Sequence, residues 1–293
     1  MTLPLDPATL SQEVSLEATQ KAAACAGAAK EGRLAVILDF DRTVTGGSSN
    51  SSHGVLESAG VLSELFRSKS RGLFEKYYPV EIDATLSLED KIPIMTEWYT
   101  QVHNLMLHED ITRSKLQAAV AECRSIELRC RMQELLLRCQ EASPPVPVVI
   151  MSAGLGDVIE IFLQQALPFE LAPTTMVVSN RMNFDEGGRL VAFSEPLLHM
   201  FNKSAAFLPP SVQELLDSRS HCLLVGDSDG DATMTNGLNV DTLKVGLLNH
   251  KVEERMDRFR ELYDVVVTDD GPVPDICFQA VGCEGPVSIA CSD

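Results

Sequence analysis

Leu34-Ala35-Val36-Ile37-Leu38-Asp39-Phe40-Asp41-Arg42-Thr43 runs five apolar residues without interruption into a pair of carboxylates. An apolar run with no polar alternation is the pattern of a short strand buried on both faces. At its end the two-residue period of a strand sets Asp39 and Asp41 on one side and Phe40 on the other. Two carboxylates at the lip of a buried strand repel each other and are costly unless a cation lies between them. A hard divalent cation such as Mg²⁺, which takes oxygen ligands, satisfies both. A turn followed by a helix cap accounts for the same acids without chemistry, because Asp favours both positions. Taken alone, this motif leaves the two readings open.

Similar runs recur outward from it, at Val146–Met151, Met176–Ser179, Cys222–Val225, Leu243–Leu247 and Asp264–Val267. Helical patterns such as Asp157–Leu167 and Val252–Leu262 separate most of them. Strands alternating with helices predict an α/β fold on a doubly wound, mostly parallel sheet. Two stretches break the alternation. The interval from Leu38 to Val146 far exceeds a crossover of ~12 residues. It carries helical patterns at Val55–Leu73, Leu88–Leu107, Thr112–Cys123 and Glu127–Glu141. These predict a helical cap, residues 51–142, inserted into a core of residues 34–50 and 143–293. Asp185-Glu186-Gly187-Gly188, within Val177–Phe193, predicts a hairpin. Residues 1–33 predict an outer helical extension, a single amphipathic helix.

Charge narrows the partners. With 24 basic against 42 acidic side chains the formal net charge is −18, so nothing steers a nucleic acid polymer or an anionic membrane toward the chain. An anionic substrate is repelled at long range too, and phosphate chemistry needs a local cation. No apolar run reaches the ~18 residues of a membrane span. The first 33 residues carry acids and lack the apolar centre of a signal peptide. The eight cysteines form no CxxC pair and no zinc-like spacing. They predict reduced, structural thiols in a cytoplasmic protein, expected to be a monomer.

Ligands of open α/β sheets bind at the carboxyl ends of the strands, and polar residues collect there. Gly226-Asp227-Ser228-Asp229-Gly230-Asp231 follows the Cys222–Val225 run, with glycines that permit a tight turn around an ion. A calcium loop of the EF-hand type needs Glu at its twelfth position, where this chain has Leu238. Ser152-Ala153-Gly154-Leu155-Gly156-Asp157 ends another run and opens a helix. A hydroxyl and backbone N–H groups at a helix start make a phosphate cradle, although ordinary capping uses the same residues. Lys203 is unremarkable except that a phosphate here requires a cation.

The set Asp39-x-Asp41-x-Thr43, Ser152, Lys203 and Asp227-xxx-Asp231 resembles the four motifs of the haloacid dehalogenase-like (HAD) phosphatases. Lys76–Asp83, Glu97-Trp98-Tyr99-Thr100, Ser152–Asp157, Val178-Ser179-Asn180, Asn183-Phe184-Asp185 and Phe201-Asn202-Lys203 are closer still to the cytosolic 5′-nucleotidase III family, the pyrimidine 5′-nucleotidases. The similarity spans roughly residues 34–270, and its specificity lies in the combination. It implies a Rossmann-like HAD core with an inserted cap, hydrolysing a nucleoside 5′-monophosphate with Mg²⁺. It implies Asp39 as nucleophile and Asp41 as acid and base. The metal would be held by Asp39, the Asp41 backbone carbonyl and Asp227. Ser152, Ala153, Gly154 and Lys203 would hold the phosphoryl oxygens, with Thr43, Ser228 and Asp231 supporting them. Glu81 would read the base, favouring CMP over UMP.

Four features depart from the family. Val102 stands where a serine is common, Arg42 replaces a mostly apolar residue, Asp229 adds a carboxylate, and the loop from Thr43 to His53 is short. Loss of the polar group at Val102 loosens the base choice, toward a modified guanine for example. Two other expectations compete: a HAD phosphatase for another small phosphomonoester, and a non-catalytic nucleotide-binding regulator. His53 can cap a helix or stack on a base, His103 and His108 are one turn apart, and Trp98-Tyr99 can be core or base platform.

Overall fold

A computed structural model describes residues 14–83 and 85–283. Its strands are β1 (Leu34–Leu38), β2 (Val148–Leu155), β3 (Thr175–Asn180), β4 (Met182–Phe184), β5 (Leu190–Phe193), β6 (His221–Gly226), β7 (Asp241–Leu248) and β8 (Val265–Thr268). Its α-helices are α1 (Leu16–Lys30), α2 (Ser52–Ser58), α3 (Glu64–Ile82), α4 (Leu88–Met106), α5 (Arg113–Glu122), α6 (Met132–Glu141), α7 (Gly156–Ala166), α8 (Pro210–Asp217), α9 (Val252–Leu262) and α10 (Asp275–Ala280). Six strands form one sheet in the order β3-β2-β1-β6-β7-β8, every pairing parallel. The expected doubly wound α/β fold is present, and β4-β5 is the expected hairpin.

Alternation along β1 splits the core into two layers. Val36 and Leu38 join Val148, Ile150, Leu223 and Val225 on the face covered by α1, α6 and α10. Ala35 and Ile37 join Val149, Met151 and Leu224 under α8 and α9. The central strands β1, β2 and β6 are buried on both faces, which is why their sequences show no polar alternation. The chain moves from β1 to β2 and β3 on one side, then crosses back to β6 on the other. That reversal opens a crevice at the carboxyl ends of β1, β2 and β6.

Several boundaries differ from expectation, each for a local reason. The helix expected over Val55–Leu73 is two, α2 and α3, interrupted near Gly60, whose φ of +68° favours glycine. The helix expected from Glu127 begins at Met132, because residues 127–129 bond to the chain leaving β1 and Arg131 is left-handed at φ +67°. The strand expected to end at Met151 continues to Leu155 through a register irregularity. In the N-terminal extension, helix is present from Leu16, where the Ser15 hydroxyl accepts from Ala18 N–H. Residues 1–13 lie outside the described residues. Ser51, Ser63, Ser87 and Thr112 cap α2 to α5 in the same way, each satisfying an otherwise unpaired N–H. Cys25, Cys123, Cys139, Cys222, Cys277 and Cys283 are free. Cys130 is disulfide-bonded, so the expectation of wholly reduced thiols fails there.

Candidate active site

The crevice gathers acids from adjacent strand ends. Asp39 follows β1, is 4% exposed, and donates its N–H to Val225 of β6 at 3.0 Å. Asp227 and Asp231 follow β6, and carboxylate oxygens of Asp39, Asp227 and Asp231 lie within 4.8 Å of one another. Lys203 Nζ donates to Asp39 at 2.5 Å and to Asp231 at 2.8 Å. Burial alone would lower the Lys203 ammonium, but Asp231 and Asp39 outweigh it and hold it well above the ordinary lysine range. Burial and then Asp231 push Asp39 well up despite Lys203. The same two causes raise Asp227 to about 7.

One ammonium among three carboxylates leaves surplus negative charge in a desolvated place. A hard divalent cation with oxygen ligands fits that donor set. Asp231 is already engaged: its Oδ2 accepts from the N–H groups of Asp227 and Ser228 and from Ser228 Oγ, while Oδ1 faces Lys203. Asp227, by contrast, takes a long contact from Asn249 Nδ2 at 3.4 Å and keeps acceptor capacity. The carboxylate added at Asp229 turns away to Arg255 and Arg258 of α9 and stays out of the cluster.

Asp41 faces the start of α2, where its Oδ1 accepts from Ser52 N–H at 2.8 Å and Oδ2 from Ser52 Oγ at 3.4 Å. Burial raises its pKa, which Ser52 partly opposes. Ser52 Oγ also accepts from Leu155 N–H, tying α2 to β2. Ser152, Ala153 and Gly154 were expected in a helix-start turn. They lie instead in the last residues of β2, where Ser152 Oγ accepts from Gly154 N–H. A Cβ on Gly154 would come within 2.0 Å of Ser52 Oγ and 3.2 Å of Asp41 Oδ2, so only glycine lets β2 pass this close. Thr43 is buried, and its Oγ1 has no hydrogen-bond partner among the described residues.

Lys203 is aimed by a tight loop. Asn180, ending β3, donates to Ala153 O and Leu198 O and accepts from Leu198 N–H, clamping the loop to β2. Asn202 accepts from His199 N–H and donates to Leu197 O. His199 Nδ1 accepts from Phe201 N–H, which leaves Nε2 to donate to Thr96 of α4 at 3.2 Å.

Above the crevice, a cavity of about 260 Å³ is lined by His53, Phe66, Phe74, Trp98, Tyr99 and Val102 among others. His53 lies edge-on to Tyr99, and burial lowers its pKa to about 4. His103 is stacked on Phe193 of the hairpin, its buried Nε2 without a hydrogen-bond partner among the described residues, whereas His108 bonds Asn104 O on the surface. The two do not form a metal pair. Trp98 is half-buried, touches Phe74, Tyr77 and Tyr99, and forms part of the cavity wall. Glu81 is half-buried near the end of α3 and outside the cavity lining. Burial lifts it to about 7 against the pull of Lys91. Lys91 Nζ donates to Glu81's backbone carbonyl, not its carboxylate.

Ser52, Asn249 and Arg129 were absent from the sequence reading. Ser52 follows a capping serine and could have been suspected from the Ser51-Ser52 pair. Nothing local marks Asn249 or Arg129, because their partners are far along the chain.

The Pyrimidine 5′-nucleotidase (UMPH-1) family pattern matches residues 40–280. The 7-methylguanosine phosphate-specific 5′-nucleotidase of Gallus gallus is 39% identical over 246 residues, covering 81% of this chain and 83% of its own. The crystal structure of cytosolic 5′-nucleotidase IIIB bound to cytidine superposes with a TM-score of 0.77 at 30% identity, covering 88% of this chain and 89% of that one. A HAD family hydrolase from Salmonella enterica, 12% identical with a TM-score of 0.54 over 86% of this chain and 72% of its own, shares the fold. These matches remove the non-catalytic alternative. The chain belongs to the pyrimidine 5′-nucleotidase family of HAD-like hydrolases and is a 5′-nucleotidase.

Proposed function

We propose that the chain hydrolyses nucleoside 5′-monophosphates with Mg²⁺ through an aspartyl-phosphate on Asp39. The observation that carries this reading is the cluster of Asp39, Asp227 and Asp231 bridged by Lys203 at adjacent strand ends. Asp39 attacks phosphorus, the P–O5′ bond breaks, and Asp41 gives its proton to the departing ribose oxygen. Asp41, now a carboxylate, takes a proton from water as that water attacks the acyl phosphate, releasing phosphate and restoring Asp39. The raised pKa of Asp41 suits the first of these roles. Lys203, Ser152 and the Ala153 N–H stabilise the phosphoryl oxygens, with Gly154, whose N–H is held by Ser152 Oγ, lying beside them. Asp39, the Asp41 carbonyl and Asp227 would hold Mg²⁺, which would supply positive charge for the transferring phosphoryl group. Thr43, Ser228 and Asp231 support these groups.

In this reading α2 to α5 form a cap that selects the base, while α6, the last helix of the expected cap range 51–142, packs on the core sheet instead. Glu81, when ionised, is a pure acceptor. It favours a base edge that donates, such as the N4 amine of cytosine or the N1–H and N2 amine of guanine, over the acceptor edge of uracil. The aromatic cavity adds a preference for a cationic ring, which 7-methylguanine is. The order proposed is 7-methylguanosine 5′-monophosphate, then CMP, then UMP, for a monomeric cytoplasmic enzyme. Phosphate release from these three and from unrelated phosphomonoesters, ranked by kcat/KM with and without Mg²⁺, tests it. Equal rates across the panel would refute the base selection, and full activity in chelator would refute the metal. Among the described residues no helix is long and apolar enough to cross a membrane.

A further inference from the structure

We propose that Arg129, on the segment returning from the cap, is the positioning residue for the Asp39–Thr43 loop and, through Asn249, for the metal carboxylate Asp227. Arg129 is 2% exposed, a costly place for a guanidinium unless every donor is used. Its Nε donates to Thr43 O at 3.0 Å, and Nη2 to Arg42 O at 2.6 Å and Asn249 Oδ1 at 2.9 Å. Nη1 donates to Gly271 O at 2.7 Å and pairs with Asp270 Oδ1 at 3.0 Å. One planar fork therefore joins the loops that follow β1, β7 and β8, a task a lysine's point charge cannot perform.

The carbonyls it holds are the two directly after Asp41. Arg42 is left-handed at φ +65°, unusual for a long side chain, and its carbonyl also accepts from Asn249 Nδ2 at 2.9 Å. The same amide group reaches Asp227 Oδ2 at 3.4 Å, completing a chain from Arg129 to a metal carboxylate. On the far side Asp270 is itself left-handed, at φ +54°, and accepts from Gly47 N–H at 2.6 Å. Backbone held in sparsely populated conformations at one place is characteristic of functional loops. The segments joining cap and core are bonded to each other at this point: Arg129 N–H to Val44 O, Gly46 N–H to Glu127 O and Asn50 N–H to Ser125 O. Arg129 thus links the segments joining cap and core to the nucleophile loop.

This inference rests on the Mg²⁺ reading, and its test separates the two. Mg²⁺ binding to the substrate-free full chain is measured by calorimetry for the parent, Asn249→Ala, Arg129→Lys and Arg129→Ala, alongside kcat and KM. Loss of a residue that orients a metal ligand should weaken Mg²⁺ binding about ten- to a hundredfold. At saturating Mg²⁺ the nucleotide KM of Asn249→Ala should stay within about threefold of the parent, because substrate contacts are intact. Arg129→Lys should also lose ~10²-fold in kcat, and added guanidinium should restore part of both properties to Arg129→Ala. If the Arg129 variants do not fold, Asn249→Ala, on a surface loop, decides alone. Parent-like Mg²⁺ binding in Asn249→Ala overturns the positioning role while leaving the metal in place. Absence of Mg²⁺ binding in the parent overturns the metal reading and this inference with it.

Discussion

At the scale of single residues, the chemistry depends on how two neighbouring aspartates are placed in different environments. Asp39 meets Lys203 and the acids of β6, whereas Asp41 meets Ser52. Asp39→Asn keeps the shape but removes the attacking charge, and should lower kcat at least ~10³-fold with the fold intact by circular dichroism. Glu81 makes a pH-dependent forecast. Its carboxyl is raised to about 7 by burial, so it is ionised above that pH and protonated below. A protonated carboxyl can donate, and discrimination against the acceptor edge of uracil should then fade. The CMP-to-UMP ratio of kcat/KM should therefore shrink from pH 8 to pH 6, by up to about tenfold for one charge-assisted hydrogen bond. In Glu81→Gln the ratio should be low at both pH values. A parent ratio flat across that range would show that Glu81 does not read the base.

At the scale of elements, the decisive feature is the end of β2. A regular strand would stop at Met151, but the irregularity carries it to Leu155 and brings Gly154 against Ser52, Ser152 and Asp41. Gly154→Ala must displace Ser52 Oγ, which loosens Asp41. It should cost up to ~10²-fold in kcat with little change in thermal stability. An active-site rate equal to the parent's would show that the close approach is incidental. The strand ends bearing Asp39 and Asp227 were legible in the sequence, because a doubly buried strand has an unmistakable apolar run and its polar terminus stands out. The bulge in β2 was not, since Ser-Ala-Gly suits a strand and a turn equally well. Nor was the late start of α6: Glu127–Arg131 has helical patterning, but tertiary hydrogen bonds to residues 44–49 take its backbone groups. Arg129 was unreadable for the same reason, its meaning residing in contacts with residues 42, 43, 249, 270 and 271.

Over the whole molecule, core and cap helices are joined through polar groups that titrate. His53 and His199 are lowered to about 4 and His103 to about 3, each first by burial, at contacts between α2, α4, β5 and the Lys203 loop. Their folded pKa lies below the unfolded value near 6.5, so the unfolded chain binds more protons as pH falls. Stability should be unaffected above about pH 7 and decline from about pH 6.5 toward 4, by up to ~1.4 kcal/mol per pH unit for each histidine. Thermal melts across that range check it, and replacing His103 with Leu should flatten the slope. The doubly wound α/β class was legible in the alternation of apolar runs with helical patterns, whereas the strand order β3-β2-β1-β6-β7-β8 is set by pairings between distant segments. The most direct test is rapid acid quenching of the enzyme with Mg²⁺ and CMP or 7-methylguanosine 5′-monophosphate, followed by peptide mass spectrometry. The expected result is one phosphoryl group on the peptide containing Asp39, absent in Asp39→Asn. Turnover with no phosphorylated Asp39 at any quench time, or phosphorylation at another residue, would contradict it.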